Sequence, residues 1–198
     1  MALLAVSSLT GCVSDDATTS ASTIGQATTT PTTVADIAFD RALHDELIEM
    51  AERDQAGRTG GSDPEGDPAR TARLKIVDVF GWPIFDLVGE DGEDAAWLIA
   101  QHSDQDPEFQ ARAVELLREA VEAGQASPGN LAYLEDRVLV GKGEPQVYGT
   151  QIRCGADGPE PATPISEEAT LDERRIAAGL QPLSVYYEEL AEICAAEG

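Results

Sequence analysis

Positively charged residues are scarce in this sequence. Only 13 Lys and Arg residues stand against 37 Asp and Glu residues, which gives a formal net charge of −24 at pH 7. A surface of this charge repels phosphate backbones and anionic lipid headgroups, so we expect no nucleic-acid partner. The negative charge either attracts a basic partner or keeps an exported domain soluble, and solubility is the simpler interpretation.

Aromatic residues and long hydrophobic runs are also few. Aromatic side chains make up 5% of the chain, although hydrophobic residues reach 42%, mostly as Ala, Leu, Val and Ile. This composition favours helices over sheets, and 198 residues leave room for one folded domain. The motifs of P-loop proteins, zinc proteases and α/β-hydrolases are absent. The sequence therefore points to none of the large enzyme classes, and we expect no cofactor.

The first twelve residues, 1–12, are similar to the export signal of a bacterial lipoprotein. The apolar run Leu3 to Leu9 leads into Leu9-Thr10-Gly11-Cys12, and polar residues follow. In signals of this kind the cysteine thiol receives a palmitate-containing diacylglycerol before cleavage, so Cys12 is the expected lipidation site and membrane anchor. Met1 is not followed by the usual Lys or Arg, and a short buried helix is the alternative interpretation.

Residues 13–35 are mostly Thr, Ser, Ala and Asp, with few large apolar side chains. Such a segment buries too little apolar surface to offset the entropy of ordering it, so we predict a disordered tether. Residues 36–198 then form a single acidic helical domain. The signal and the tether place this domain at the outer face of the bacterial cytoplasmic membrane, with secretion as the alternative.

Two cysteines remain once Cys12 carries lipid. Cys154 and Cys194 allow a single pairing, and the oxidising conditions outside the cytoplasm favour a disulfide over two free thiols. Without a neighbouring Cys or His residue, the pair cannot complete a tetrahedral metal site. We therefore predict a disulfide and no metal site.

Capping residues mark where several helices begin. Asp106-Pro107 and Ser127-Pro128 each place a capping side chain directly before a Pro at the first helical position. Asp36 is the predicted cap of the first helix, because apolar residues at helical spacing follow it.

Turn residues and hydrophobic periodicity indicate the remaining elements. A helix from Asp67-Pro68 to Phe80 ends before Gly81-Trp82-Pro83, and residues 92–103, apolar nearly all round, predict a central helix. Residues 146–152 have strand character and turn back at 155–158. The expected fold is mainly α, with six to seven helices packed as one irregular bundle and a small β-hairpin near residues 145–166. An α+β fold is the alternative.

His102 ends the predicted central helix beside acidic residues. It can act as a general base oriented by Asp104 or Asp106, or it can ligate a metal. The alternative is a structural histidine that hydrogen-bonds to a helix cap or a carbonyl.

Polar side chains are dense from Pro145 to Gln151, where Gly149 permits close approach of a ligand or of another backbone. The segment either lines a polar pocket or forms an edge hairpin that faces water. Arg137 and the pair Arg174-Arg175 stand out in a chain so poor in cations. They either hold a carboxylate-bearing ligand or pair with acidic residues on adjacent helices.

Several short motifs follow one another along the chain. They are Gly81-Trp82-Pro83, Ala96-Trp97-Leu98 with Gln101-His102, Leu131 to Val138, Pro145-Gln146 with Tyr148-Gly149-Thr150-Gln151, and Asp172-Glu173-Arg174-Arg175 with Gly179-Leu180. In this order they resemble an uncharacterised bacterial family of domains of unknown function, over about residues 43–187. The resemblance implies a fold and a set of recurring polar positions, but no reaction. These positions are Asp54, Gln55, Gln101, His102, Arg137, Tyr148 and Gln151.

Two functions fit these observations. The first is a membrane-tethered, extracytoplasmic ligand- or protein-binding domain with a polar pocket around His102, in which Arg137 holds an anionic group. Its enzymatic variant is a hydrolase that uses His102 as general base. The second is a non-enzymatic module that meets a basic protein through its acidic helices in a salt-sensitive association. Because no nucleophile–base pair is visible, binding is favoured over catalysis.

Overall fold

The computed structural model describes residues 38–61, 66–156 and 158–197, so the predicted signal (1–12) and tether (13–35) lie outside the described residues. The compact unit that begins at Asp36 contains all the described elements. As predicted, the fold is mainly α with a small hairpin. The elements are α1 (Arg41–Arg58), α2 (Gly66–Leu74), α3 (Val77–Phe80), α4 (Phe85–Gln101), α5 (Pro107–Glu122), α6 (Pro128–Gly141), β1 (Ile152–Gly155), β2 (Gly158–Pro161), a 3-10 turn (Glu168–Thr170), α7 (Leu171–Ala177) and α8 (Leu183–Glu197).

Two of the predicted helix caps are confirmed. The Asp106 carboxylate accepts the N–H of Phe109 at 3.1 Å, and the Ser127 hydroxyl accepts the N–H of Asn130 at 3.2 Å. Each bond satisfies one of the backbone donors that the first turn of a helix leaves without a partner. These caps fix the starts of α5 and α6 directly before their Pro residues.

The predicted cap of the first helix was wrong. Asp40, not Asp36, accepts the N–H groups of Ala42 and Leu43, at 3.0 and 3.1 Å. The N–H of Asp40 also donates to the carbonyl oxygen of Leu87 at 2.7 Å. This long-range bond, which no local pattern reveals, sets the start of α1 against the beginning of α4.

The predicted helix from Asp67 to Phe80 is divided into two. A turn at Lys75 and Ile76 separates α2 from α3, although neither residue is a helix breaker. The predicted stop at Gly81 is confirmed: its φ of 83° is a left-handed conformation that suits Gly, and its N–H donates to Val77 at 2.8 Å.

The central helix α4 is longer than predicted, because it begins at Phe85 rather than at Gly92. Gly89, with φ 78° and ψ 170°, interrupts the helical backbone and kinks the element. Beyond the kink Ala96, Ile99 and Ala100 are buried, which confirms the central position of this helix.

The hydrophobic core forms where α4 contacts α1, α2, α5 and α6. Leu47 and Met50 from α1, Leu117 from α5 and Leu134 from α6 are buried in it together with the apolar residues of α4. Burying one such side chain contributes about 2 kcal/mol relative to leaving it in water. The packing holds the C-terminal end of α4, and therefore His102, against α1.

The predicted hairpin is confirmed, but its strands are short. β1 pairs antiparallel with β2 across the predicted turn. The segment before β1 forms no regular strand: it has an isolated parallel bridge between Gln146 and Ile165, and the carbonyl oxygen of Gln151 accepts the N–H of Ala162 at 2.9 Å. The prediction of a strand over residues 146–151 was therefore wrong. Cys154 and Cys194 form the predicted disulfide, which ties β1 to α8. Across the described ranges, no helix has the length and apolar character that a membrane crossing requires.

Candidate functional site

His102 and Asp54 form a hydrogen-bonded pair at the C-terminal end of α4. His102 is the first residue after the helix, and its Nδ1 lies 2.7 Å from Oδ2 of Asp54 on α1. The Asp54 side chain is completely buried, whereas the His102 side chain retains 20% of its accessible surface. The carboxylate that orients the imidazole therefore comes from another helix, not from Asp104 or Asp106 as the sequence suggested.

Asp54 is the centre of a wider charged cluster. Arg58, one turn later on α1, donates to both carboxylate oxygens of Asp54 at 3.1 Å, and Arg70 donates to Oδ1 at 3.2 Å. The two guanidinium groups share Asp67 as a second acceptor, at 3.0 and 2.6 Å. Two carboxylates and two guanidinium groups thus balance in charge beside His102. Such balance is what permits carboxylates to remain buried.

Gln55 adds one further bond to this cluster. Its Nε2 donates to Oδ2 of Asp54 at 2.9 Å, while most of the Gln55 side chain remains exposed. Asp54 thereby accepts hydrogen bonds from Gln55 and Arg58 on its own helix. It also accepts hydrogen bonds from Arg70 and His102 on other elements.

The surroundings keep the imidazole neutral. Burial lowers the pKa of His102; the carboxylate of Asp54 raises it in part, and the charges of Arg58 and Arg137 lower it again. Burial alone would raise the pKa of Asp54, but the hydrogen bond from Arg58 and the nearby His102 hold that pKa below its ordinary value. The pair is therefore a carboxylate and an imidazole whose pKa values both lie below their ordinary values.

The tautomer follows from these partners. An ionised Asp54 only accepts hydrogen bonds, so Nδ1 of His102 carries the proton and donates it. The Nε–H of Arg58 is directed at both Nδ1 of His102, 3.0 Å away, and Oδ2 of Asp54, 3.1 Å away, and the charged carboxylate is the stronger acceptor of the two. Nε2 of His102 is left as an acceptor, and no residue in the described part of the chain donates to it.

A second polar cluster surrounds Arg137 on α6. Its guanidinium forms a two-point ion pair with Asp104, with Nε donating to Oδ1 at 2.9 Å and Nη2 to Oδ2. Nη1 donates to Oε1 of Gln151 at 3.2 Å. These three bonds use three of the five N–H groups of Arg137, so two remain for another acceptor. The charge of Arg137 acts on His102, so the two clusters adjoin.

Two polar atoms on α4 lack partners between these clusters. Oε1 of Gln101 and Nε1 of Trp97, one helical turn apart, are buried and take part in no hydrogen bond with any described residue. Gln101 is only 8% exposed. The ring of Trp97 packs edge-on against Tyr133 at 6.0 Å, and Gln151 Nε2 donates to the carbonyl oxygen of Tyr133 at 3.3 Å. A buried acceptor without a donor costs about 1–3 kcal/mol.

The structure brings together six of the seven polar positions and separates the seventh. Asp54, Gln55 and His102 share one hydrogen-bonded cluster, Arg137 and Gln151 share the adjoining one, and Gln101 precedes His102 in α4. The ring of Tyr148 lies elsewhere. Burial and the carboxylates of Glu135 and Asp136 raise the pKa of its phenol.

The segment from Gln146 to Gln151 is held by groups that the sequence did not single out for this task. Asp136, fully buried, accepts the N–H groups of Val147, Tyr148 and Thr150 at 2.7, 3.1 and 2.9 Å. Arg174 donates to the carbonyl oxygen of Val147 at 3.0 Å, and Arg175 to that of Tyr148 at 2.7 Å. Neither arginine pairs with a carboxylate of the described residues, so the interpretation as ion pairs with adjacent helices was wrong, whereas the interpretation as holders of a carboxylate-bearing ligand stays a prediction.

Sequence reasoning also missed Arg58, Asp67 and Arg70. The spacing of four residues between Asp54 and Arg58 on one helix would have indicated their ion pair. Arg70 is on a different helix, and no local signal connects it to Asp54. Elsewhere, Ser103 offers no nucleophile, because its buried hydroxyl donates to the carbonyl oxygen of Ile99 and contacts Thr71. Within the described ranges, no three His, Cys, Asp or Glu residues converge as metal ligands.

Comparison with known proteins yields one match. Residues 41–195 match DUF6624, a family of unknown function. No curated protein and no solved structure matches the chain. The matched range runs from the start of α1 to all but the last two residues of α8, and it includes both polar clusters and the disulfide. The chain therefore belongs to DUF6624, a family whose function is unknown.

Proposed function

We propose that the domain binds a small polar ligand at the surface where the His102 and Arg137 clusters adjoin. The observation that carries this proposal is the hydrogen bond of 2.7 Å between His102 and the buried Asp54, which presents the unpaired Nε2 as an acceptor. Enzymes and binding proteins place a few oriented polar groups of this kind in their sites. The unpartnered amide oxygen of Gln101 adds a second acceptor nearby.

The unpaired hydrogen-bonding groups of the site define what kind of ligand fits. His102 Nε2 and Gln101 Oε1 each need an O–H or N–H donor, whereas the two remaining N–H groups of Arg137 need an oxygen acceptor. A hydroxy acid, a hydroxy amide or a sugar supplies both kinds of group. Arg137 already pairs with Asp104, so it contributes directed hydrogen bonds to the ligand more than uncompensated charge.

Saturation-transfer NMR with a mixture of hydroxy acids, hydroxy amides and monosaccharides tests this proposal. In His102→Asn the amide keeps a donor for Asp54 but has no atom at the position of Nε2. We expect this variant and Arg137→Gln to lose at least about tenfold in affinity for any compound that binds the unchanged protein. His44→Asn and Arg112→Gln serve as matched controls. A bound compound that is indifferent to both site variants would contradict the proposal.

A hydrolytic reaction is the second candidate, and the carboxylate–imidazole pair favours it. A neutral imidazole oriented through Nδ1 can accept a proton from a water molecule or a hydroxyl group at Nε2. Chromogenic acetate esters, phosphate esters and glycosides are suitable test substrates. Hydrolysis should weaken as the pH falls through a value below 6.5, because only the neutral imidazole is a base. Turnover that His102→Asn leaves unchanged would refute a role as general base.

We further propose that the domain is anchored through a lipidated Cys12 at the outer face of the cytoplasmic membrane. The disulfide between Cys154 and Cys194 supports export, since disulfides persist in oxidising compartments. Bacteria that express the full chain and are fed an alkyne palmitate should label it in the membrane fraction. Cys12→Ser should abolish the label and Cys154→Ser should retain it. A label that survives Cys12→Ser would exclude this anchor.

A further inference from the structure

An apolar groove lies between α1 and the α2–α3 segment, away from both polar clusters. We call it the α1–α3 groove. It has a volume of about 440 Å³, and none of its lining residues belongs to the polar clusters. The apolar part of its lining includes Leu43, Leu47, Met50, Leu74, Val77 and Phe80.

Large apolar side chains remain exposed along one edge of this groove. Ile76, Val79 and Phe80 expose 53%, 76% and 79% of their surfaces within five consecutive residues. Scattered exposed apolar residues are normal, but a cluster beside a preformed groove is typical of an interaction surface.

The charge of the rim indicates what kind of partner fits. Asp40, the cap residue of α1, and Glu46 on α1 border the groove and face water, and Arg73 of α2 is the cationic residue in the lining. The carboxylates outnumber the guanidinium group at the rim, and the chain as a whole carries a net charge of −24. An apolar floor with an acidic rim is complementary to an apolar stripe flanked by Lys or Arg.

We propose that the α1–α3 groove binds a basic amphipathic helix of a partner protein. The lining on α1 extends from Asp40 to Met50, about 15 Å at 1.5 Å per residue, which matches roughly three turns of a docked helix. The apolar side chains of the docked helix enter the groove at helical spacing and cover Ile76 and Phe80, while its Lys and Arg side chains pair with Asp40 and Glu46. Binding at the α1–α3 groove does not depend on the ligand proposed for the site beside His102.

Fluorescence anisotropy with a labelled peptide of Leu and Lys, about 18 residues long and patterned as an amphipathic helix, tests the proposal on the full chain. We expect binding that weakens at least about tenfold in Phe80→Ser or Ile76→Ser. Raising the salt from about 20 mM to about 500 mM should weaken it as well. Ile176→Ser is the matched control, because Ile176 is 63% exposed on α7 and outside the groove. All three substitutions replace exposed side chains, so folding is preserved and is checked by circular dichroism.

Other occupants of the groove give different results. A peptide with Glu in place of Lys that binds equally well would overturn the charge complementarity on which the proposal rests. Self-association of the protein that Phe80→Ser abolishes, without binding of the Lys peptide, would identify a second copy as the occupant and refute the proposal. A fluorescent fatty acid that binds in the groove while the Lys peptide does not would have the same consequence.

Discussion

Glu93 makes the stability of this domain depend on pH in an unusual direction. The carboxyl group lies inside the protein on α4, where Oε1 accepts the indole N–H of Trp82 at 3.0 Å and Oε2 accepts the amide of Asn130 at 2.9 Å. Burial raises the pKa of Glu93 to about 7, despite both hydrogen bonds. Near neutral pH the folded protein therefore holds a proton that the unfolded chain releases.

The sign and size of the effect follow from linkage. The unfolded carboxyl titrates near 4.5 and the folded one near 7, so the contribution is complete below pH 4.5. It declines as the pH rises through this interval and is lost above pH 7. At about 1.4 kcal/mol for each pKa unit, ionising Glu93 lowers the free energy of unfolding by about 3 kcal/mol in total.

Urea denaturation of the oxidised protein and of Glu93→Gln at pH 5 and pH 8 isolates this contribution. The variant should be less stable at pH 5, because its amide nitrogen meets Trp82 or Asn130 donor to donor. It has no titrating group, so the difference between the two proteins should shrink by about 2 kcal/mol at pH 8. Carboxylates whose pKa is lowered, such as Asp54, contribute equally to the pH dependence of stability in both proteins, so their contributions cancel in the difference. Parallel stability curves would refute the reasoning.

Three further substitutions test other contacts. Gly89→Ala adds a Cβ to a residue whose φ is 78°, and this Cβ would lie 2.9 Å from Oδ1 of Asp91. The substitution should lower the free energy of unfolding in urea by about 1–2 kcal/mol. Gly141→Ala is the control and should not lower it, because a Cβ at Gly141 lies in open space. Cys154→Ser breaks the bond to Cys194 and should cost up to about 4 kcal/mol, after which a reducing agent has no further effect. Asp54→Asn removes the carboxylate that raises the pKa of His102, so an NMR titration of the ring should give a lower pKa; an unchanged value would contradict the pairing.

The features that sequence reasoning predicted correctly depend on local chemistry. The caps at Asp106 and Ser127 bond to residues within three positions, and the stop at Gly81 depends on its own backbone. The disulfide followed from arithmetic, because only Cys154 and Cys194 remained to pair. In each case the deciding interaction lies within a few residues or has a single possible partner.

The predictions that were wrong involve distant partners. Asp40 replaces Asp36 as the cap of α1, and its own N–H bonds to Leu87 in another helix. His102 is oriented by Asp54, which lies 48 residues earlier in the chain, whereas the nearer Asp104 bonds to Arg137. Sequence motifs thus singled out polar residues that lie close together in the fold, but not how they pair, because their pairing is fixed by the packing of α1 against α4.

The segment from Gln146 to Gln151 shows why a strand pattern can yield irregular backbone at a site. In a strand, the backbone N–H groups would donate to a neighbouring strand. Here the carboxylate of Asp136 accepts three of them, and Arg175 donates to a carbonyl oxygen of the same segment. Asp136 precedes Arg137 on α6, so adjacent residues anchor the segment and contact its last side chain, Gln151. The position of the Arg137 cluster is therefore set by the buried charge beside it. That link ties the irregular segment to the edge of the proposed ligand site.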